Sequence, residues 1–211
     1  MKPKIDYTLY LVTDRELMTA DSIEKCVEQA ILGGVTVVQL REKTASSREF
    51  YQLALRVREV TARLGVPLII NDRADIALAV DADGVHIGQD DLPYEAARRI
   101  VGPNKIVGVS THNVDEAKAA ADMGADYIGV GAIFATGTKN DVAPTSIDEL
   151  RRICEAVKIP MVAIGGINKN NVSLLSGTGI DGIAVVSAIV AQADTAGAAR
   201  ELKSLFQGED R

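Results

Sequence analysis

The chain is poor in the residues that most often bind metals or form disulfides. Among its 211 residues it has two cysteines, two histidines and no tryptophan. Cys26 and Cys154 lie in segments that predict helices, and they show neither the spacing of metal ligands nor a disulfide framework. We interpret both as packing residues of a reduced protein. With only His86 and His112 to supply imidazole, a histidine-rich metal site is excluded.

The chain also lacks an excess of positive charge and any long hydrophobic run. Its formal net charge is −6 at pH 7, whereas a general nucleic-acid binder needs a basic face. No apolar run approaches the roughly 20 residues of a membrane-spanning helix, and the N-terminus has no signal-peptide hydrophobic region. We therefore expect a cytoplasmic protein that binds neither nucleic acid nor membrane, while a homo-oligomer is left open.

What the chain has in quantity is apolar residues in short, regularly spaced runs. Hydrophobic residues make up 47% of the sequence and charged residues 25%, as in ordinary soluble globular proteins. Because there is no linker, low-complexity stretch or break in composition, the length favours a single domain over residues 1–211. Eight runs rich in β-branched residues predict strands at Thr8–Asp14, Val35–Arg41, Val66–Asp72, Gly84–Gly88, Ile106–His112, Tyr127–Phe134, Pro160–Ile167 and Gly182–Ile189.

Segments with helical character separate these runs. Ser22 and Asn113 are typical N-cap residues, and Glu116 three residues after Asn113 indicates a capping box. The sixth helix begins only at Ser146, after the longest loop, and a final helix begins near Thr195. Eight strand–helix units require a parallel sheet with right-handed crossovers, which predicts a (β/α)8 TIM barrel. The alternative is a doubly wound open sheet, but the glycine-rich turn expected after its first strand is absent.

Polar side chains collect where the predicted strands end, and the second strand shows this most clearly. Gln39, Arg41 and Lys43 follow a buried apolar run and, by strand alternation, share one face. An amide and two cations in such a place are suited to an anion, best a phosphorylated one. The alternative interpretation is a strand that runs out into solvated charge.

Two aspartates follow the next two strands and indicate a metal site. Asn71 and Asp72 end the third strand, and Asp91 lies just past the fourth, while adjacent strands are roughly 5 Å apart. Two carboxylates that close repel each other unless a cation or a shared proton lies between them. With phosphate-binding cations nearby, we expect Mg²⁺ to bridge both aspartates and a substrate phosphate. The alternative is that the two aspartates are independent helix N-caps.

The loop over residues 131–141 offers groups for an anion on another part of the rim. Thr136, Thr138 and Lys139 in this loop can donate hydrogen bonds, and Gly137 lets the backbone close over a ligand. A loop of this length in a compact chain is usually functional.

The loops after the last two strands lie where this fold usually binds phosphate. Gly165–Gly166 follows the seventh strand and Val186–Ser187 the eighth, so backbone N–H groups are expected to bind a phosphate there. Ser110 ends the fifth strand on the same rim. His86 lies within a short strand and is interpreted as a satisfied core or rim histidine rather than a catalyst, and His112 is assigned no role.

Together these motifs resemble thiamine-phosphate synthases. The matching segments are QLREK at 39–43, ND at 71–72, HIGQDD at 86–91, GVS at 108–110, TGTK at 136–139, IGG at 164–166 and VVS at 185–187. They occur in the family's order from the first strand to the last helix. The resemblance implies a Mg²⁺-assisted transferase that couples 4-amino-5-hydroxymethyl-2-methylpyrimidine diphosphate with hydroxyethylthiazole phosphate. Its products would be thiamine phosphate and pyrophosphate.

The resemblance also implies a role for each matching residue. The pyrimidine diphosphate would be held by Gln39, Arg41, Lys43, Asn71, Ser110 and Lys139, and the catalytic groups among these would be Arg41, Lys43, Ser110 and Lys139. Magnesium would be held by Asp72 and Asp91. The thiazole phosphate would be held by Thr136, Thr138, Gly166, Val186 and Ser187. Many members carry proline at the positions of Ala132 and Ala135, so we expect the loop here to be less constrained.

Three other functions share parts of this pattern. A thiazole tautomerase-like relative on the same fold makes no carbon–nitrogen bond and would need neither the diphosphate-binding cations nor the paired aspartates. A Schiff-base aldolase would use Lys43 or Lys139 and would be trapped on its substrate by borohydride. A phosphate-binding regulator without transferase activity would need no magnesium pair.

Overall fold

Eight short parallel strands form the centre of the molecule. The computed structural model describes residues 2–135 and 145–208. Within them the strands are β1 (Leu9–Val12), β2 (Val37–Leu40), β3 (Leu68–Asn71), β4 (Gly84–Ile87), β5 (Ile106–Thr111), β6 (Tyr127–Val130), β7 (Met161–Ile164) and β8 (Gly182–Val185). Each strand pairs with the next in the chain and β8 pairs with β1, so the sheet closes into a barrel. The predicted (β/α)8 fold is confirmed.

Helices surround the barrel on its outside. They are α1 (Ile23–Leu32), α2 (Ser47–Arg63), α3 (Ala74–Ala79), α4 (Tyr94–Val101), α5 (Val114–Met123), α6 (Ile147–Ala156), α7 (Ser187–Val190) and α8 (Thr195–Gln207). A 3₁₀ turn, Val172–Leu175, stands where an α-helix was expected after β7. No helix in the two described ranges is long and apolar enough to cross a membrane.

Two of the predicted helix caps are present, one of them in altered form. The Ser22 hydroxyl accepts a hydrogen bond from the backbone N–H of Lys25. Asn113 accepts one from the backbone N–H of Glu116 at 2.9 Å. The Glu116 carboxylate, however, accepts from the backbone N–H of His112 and from the Asn113 side chain, not from the Asn113 backbone. The expected capping box is therefore formed on one side only, because the carboxylate bonds one residue further back.

Strand alternation divides the core into two layers. In β1, Leu9 and Leu11 belong to the large apolar layer between sheet and helices. Tyr10 and Val12 belong to a smaller cluster inside the barrel, together with Tyr127. Successive strand residues point to opposite faces, so a strand buried on both sides has few polar positions. The barrel interior is thus filled by side chains, and the open space lies at its carboxyl end.

Several predicted strands end earlier in the structure than expected. β2 ends at Leu40 and β6 at Val130, and the predicted strand Gly182–Ile189 ends at Val185. Beyond it the backbone turns, and the N–H of Val190 donates to the carbonyl of Val186 within α7. A short apolar run does not distinguish a buried strand from a buried helix, which is why the sequence pattern merged them.

Candidate active site

A cavity at the carboxyl end of the barrel collects the predicted site residues. Every one of them that lies in the described ranges lines this cavity: Gln39, Arg41, Lys43, Asn71, Asp72, Asp91, Ser110, Gly166, Val186 and Ser187. Thr136, Thr138 and Lys139 lie outside the described residues. The loops after β3 and β4 are opposite those after β7 and β8 in strand order around the barrel. The cavity therefore has two facing sides.

The two cations after β2 are each paired with a carboxylate. Arg41 and Lys43 lie past the end of the strand, so they do not form the strand column that alternation predicts, although both reach the cavity. Nη1 of Arg41 lies 3.3 Å from Oδ2 of Asp14. Nζ of Lys43 lies 2.5 Å from Oδ2 of Asp72. Both cations thus face the cavity, and an anionic ligand can take the place of the carboxylate in each ion pair.

Glu42, between these two cations, has its partner in another loop. Its carboxylate accepts two hydrogen bonds from the guanidinium of Arg15, at 2.6 and 2.8 Å. The Glu42 side chain is only 5% exposed, while that of Arg15 is 44% exposed. Together with the Asp14–Arg41 pair, this bidentate contact joins the loop after β1 to the loop after β2.

The carboxylates of Asp72 and Asp91 lie next to each other on the cavity wall. Burial raises the pKa of Asp72 above its ordinary value, the neighbouring Asp91 raises it further, and the Lys43 ammonium opposes both. Oδ2 of Asp91 accepts the backbone N–H of Gly88 at 2.7 Å. No group of three or more His, Cys, Asp or Glu side chains arranged for a metal occurs in the described part of the chain. The candidate ligand set from this part is two carboxylates.

The backbone of Asp72 has a conformation that the sequence did not predict. Its φ is +63°, a left-handed value that is uncommon outside glycine and that aspartate tolerates better than most residues. Its N–H donates to the carbonyl of His86 at 2.8 Å, and its carbonyl accepts from Ala74 at the start of α3. These contacts turn the chain sharply at the end of β3 and direct the carboxylate to the cavity.

A chain of hydrogen bonds crosses the floor of the cavity inside the barrel. Gln39 donates through Nε2 to Oη of Tyr10 at 2.9 Å, and Oη of Tyr10 lies 2.7 Å from Oη of Tyr127. His86 bonds Tyr127 through Nδ1 and Ser110 through Nε2, both at 2.9 Å. His86 is 8% exposed, so it is the satisfied histidine that the sequence predicted. The sequence analysis did not predict the two tyrosines. The signal that could have found them is a tyrosine at an inward position of a strand, in a sequence with few aromatic residues.

The opposite side of the cavity is built from backbone rather than from charged side chains. Gly165 and Gly166 have φ values of +100° and +64°, and a Cβ at either position would overlap neighbouring backbone near Ala132 and Ala135. Asn168 and Asn171 each donate through Nδ2 to the carbonyl of Gly166 at 3.0 Å. The two glycines are therefore required by the close approach of another loop.

The flanks of the 131–141 loop are attached to this glycine pair. Ile133 and Phe134 donate from their backbone N–H groups to the carbonyls of Ile164 and Gly165, at 2.9 and 3.0 Å. Thr145, where the described chain resumes, donates to the carbonyl of Ala132 at 2.7 Å. The described residues on either side of the TGTK motif are therefore held together at Ala132, which lines the cavity.

Comparison with known proteins identifies the family of this chain. Residues 9–189 match the family model described as thiamine monophosphate synthase. A thiamine-phosphate synthase from Clostridium beijerinckii is 58% identical over 206 residues, covering 98% of this chain and 99% of the relative. The chain belongs to the thiamine monophosphate synthase family. It is therefore an enzyme, a transferase of thiamine biosynthesis, as the motifs predicted.

Other members of the family agree in length and in fold. A thiamine-phosphate synthase from Ruminiclostridium cellulolyticum is 59% identical over 206 residues, covering 98% of each chain. The solved structure of a thiamine phosphate pyrophosphorylase from Pyrococcus furiosus is 42% identical, covers 96% of each chain and superposes with a TM-score of 0.89. The family barrel thus extends over almost all of this chain.

Proposed function

We propose that this enzyme couples 4-amino-5-hydroxymethyl-2-methylpyrimidine diphosphate with hydroxyethylthiazole phosphate to give thiamine phosphate and pyrophosphate. The observation that carries the proposal is the division of one cavity into two sides. Arg41, Lys43 and the two aspartates lie on one side, and Gly166 and Ser187 lie on the other. A substrate with a diphosphate and a second substrate with a monophosphate match that division.

The diphosphate is assigned to the side with the two cations. A guanidinium and an ammonium suit phosphate oxygens, the first through paired N–H groups and the second as a point charge. Arg41 is paired with Asp14 and Lys43 with Asp72. Substrate binding therefore exchanges carboxylate partners for phosphate oxygens, and Gln39, Asn71 and Ser110 line the cavity beside them.

The two aspartates fit Mg²⁺. Mg²⁺ is bound by oxygen ligands, often by one or two carboxylates together with substrate phosphates and waters. Asp72 and the adjacent Asp91, which together with burial raises the pKa of Asp72, are a donor set of that kind. Bound Mg²⁺ would stabilise negative charge on the diphosphate oxygens as the leaving group departs.

The chain's own residues supply positioning and charge rather than a base. The bond between the exocyclic methylene and the diphosphate oxygen breaks, pyrophosphate leaves with the electron pair, and the electron-rich pyrimidine stabilises the cation. The thiazole nitrogen then forms the new C–N bond with its lone pair, so no proton has to be removed. Arg41, Lys43 and Lys139 hold the departing pyrophosphate. Alignment of the two substrates contributes up to roughly 7–11 kcal/mol to catalysis.

The thiazole phosphate is assigned to the opposite side. Gly166, Val186 and Ser187 line the cavity there. Thr136 and Thr138 are assigned to the same phosphate from the sequence motif, whereas Lys139 is assigned to the pyrophosphate. Loops after the last two strands of this fold frequently bind phosphate.

The test is incubation of the purified enzyme with both substrates and Mg²⁺, followed by mass spectrometry for thiamine phosphate. We expect product only when both substrates and Mg²⁺ are present, with one pyrophosphate released per product. Conversion of the thiazole substrate alone would favour a tautomerase. Binding of both substrates without product would favour a phosphate-binding regulator, and either result would overturn the proposal.

A further inference from the structure

The hydrogen-bonded chain inside the barrel connects two residues that the mechanism places beside the substrate. It runs from Gln39 through Tyr10, Tyr127 and His86 to Ser110, with heavy-atom distances of 2.7 to 2.9 Å. Its two ends lie on β2 and β5, and both line the cavity. The three middle residues have so far been given no part in the reaction.

The residues of this hydrogen-bond chain are tightly packed inside the barrel. Tyr10 and Tyr127 are 1% and 0% exposed. A Cβ at Gly108 would overlap the Tyr127 ring, and one at Gly129 would lie 3.3 Å from Cε1 of His86. Glycine at Gly108 therefore leaves the space that the Tyr127 ring occupies. Burial raises the pKa of both phenols, so each stays neutral and offers one proton to donate and one oxygen to accept.

Buried groups of this kind fix one another's direction. Tyr10 accepts from the Gln39 amide, so its own proton is available for Tyr127. The Tyr127 proton then goes to Nδ1 of His86, which places the imidazole proton on Nε2, where it is donated to Ser110. The opposite direction requires the Gln39 amide to turn over so that its oxygen faces Tyr10. A mixed arrangement leaves either a buried phenol proton without an acceptor or the two phenol oxygens facing each other with no proton between them, and both are costly.

We propose that Tyr10, Tyr127 and His86 are positioning residues that couple the hydrogen-bonding states of Gln39 and Ser110. With Gln39 Nε2 donating to Tyr10, the inferred direction runs toward Ser110, so the Gln39 oxygen can accept from a ligand and the Ser110 hydroxyl can donate to one. A ligand must match both ends at once, because a mismatch at one end reverses or breaks the chain that serves the other. An aminopyrimidine has amine donors and ring-nitrogen acceptors, and replacing its amine by an oxo group inverts that pattern. The hydrogen-bond chain therefore sets specificity for the amino form of the pyrimidine, a conclusion that rests on the proposed function.

The direction of donation along the hydrogen-bond chain can be measured without turnover. Nitrogen-15 NMR of histidine-labelled enzyme gives signals from His86 and His112, which are told apart with a His112→Gln variant. We expect His86 to be the Nε2–H tautomer in wild type, with a shifted Nδ1 signal in Tyr127→Phe. An Nδ1–H tautomer, or no change in Tyr127→Phe, would overturn the proposal and leave the proposed function untouched.

Specificity is tested with the aminopyrimidine diphosphate and its oxo analogue, whose binding is compared by calorimetry. We expect Tyr127→Phe to lower the preference for the amino form at least about tenfold, and Tyr10→Phe, which cuts the next link, to do the same. Tyr94→Phe is the matched control, because its part-buried hydroxyl donates to the carbonyl of Gly124 outside the cavity. Equal weakening of both ligands would show a merely structural role and contradict the proposal. Because binding is measured directly, the result does not depend on whether thiamine phosphate is formed.

Discussion

At the scale of single residues, the charged groups of the site are paired with one another. The Lys43 ammonium lies 2.5 Å from Asp72, and Asp72 in turn adjoins Asp91. A divalent cation at the aspartates would compete with Lys43 for the same carboxylate. Metal binding and release of Lys43 toward a diphosphate are therefore expected to occur together.

Asp91→Asn should weaken Mg²⁺ binding while keeping an oxygen that can accept the Gly88 N–H. We expect at least about a tenfold loss of affinity, since one of two charged oxygen ligands becomes neutral. Mg²⁺ should then no longer raise the unfolding temperature, as it does for a protein that binds it only when folded. Asp90→Asn removes the same charge one residue away at an exposed position and serves as the control. An unchanged shift in Asp91→Asn would exclude Asp91 as a ligand.

As the pH is lowered, the affinity for Mg²⁺ should begin to fall at a higher pH than it would for an ordinary aspartate pair. Burial and Asp91 raise the pKa of Asp72, so the folded enzyme takes up this proton at a higher pH than the unfolded chain does. The ionised Asp72 carboxylate therefore lowers the free energy of unfolding above its folded pKa. This destabilisation is lost as the pH falls from the folded pKa of Asp72 to its unfolded pKa. Lys43→Met removes the group that lowers this pKa, so calorimetric Mg²⁺ titrations should lose affinity at a still higher pH. A shift in the other direction would be inconsistent with the assigned charges.

Lys139→Ala should lower turnover far more than it weakens thiazole phosphate binding. A donor directed at developing charge contributes about 10²–10³ in kcat, whereas the assigned partner of Lys139 is the departing pyrophosphate. Steady-state kcat and the dissociation constant of thiazole phosphate measure the two effects separately. Equal losses in both would remove Lys139 from that role.

At the scale of the elements, the inward face of β5 and β6 shows how strand sequence prepares the site. Gly108 lies beside the ring of Tyr127, so Gly108→Ala overfills the barrel interior. We expect a cost of about 1–3 kcal/mol in the free energy of unfolding, measured by urea denaturation. Gly129→Ala, whose Cβ would lie 3.3 and 3.6 Å from two atoms of the His86 ring, should cost less. A Gly108→Ala variant as stable as wild type would contradict this packing.

The sequence predicted the elements better than their ends. Apolar β-branched runs located all eight strands because a strand buried on both faces is mostly apolar. The sequence pattern did not predict that β2 stops before Arg41 or that α7 follows Val185, since periodicity cannot separate short buried strands from short helices.

The candidate site was predictable where charge stands out against an apolar strand, as at Arg41 and Asp91. The Tyr10–Tyr127 contact was not, because it joins residues 117 positions apart across the barrel. Nor was the left-handed φ of Asp72, which depends on its bonds to His86 and Ala74.

At the scale of the whole molecule, closing the barrel is what brings the motifs together. Segments from residue 39 to residue 187 reach one cavity because the carboxyl ends of parallel strands share one edge. A single domain over residues 1–211, a cytoplasmic location and any homo-oligomer stay predictions from the sequence.

The central claim is that the two phosphate-bearing substrates are held on different sides of one barrel mouth. The direct measurement is the pair of KM values, one for each substrate, in Arg41→Gln and Ser187→Ala. We expect Arg41→Gln to raise KM for the pyrimidine diphosphate by about tenfold or more with little change for the thiazole phosphate, since a charge-assisted hydrogen bond contributes roughly 1.5–3 kcal/mol. Ser187→Ala should raise KM for the thiazole phosphate alone. Equal effects of either variant on both substrates, or effects in the reverse order, would contradict the account.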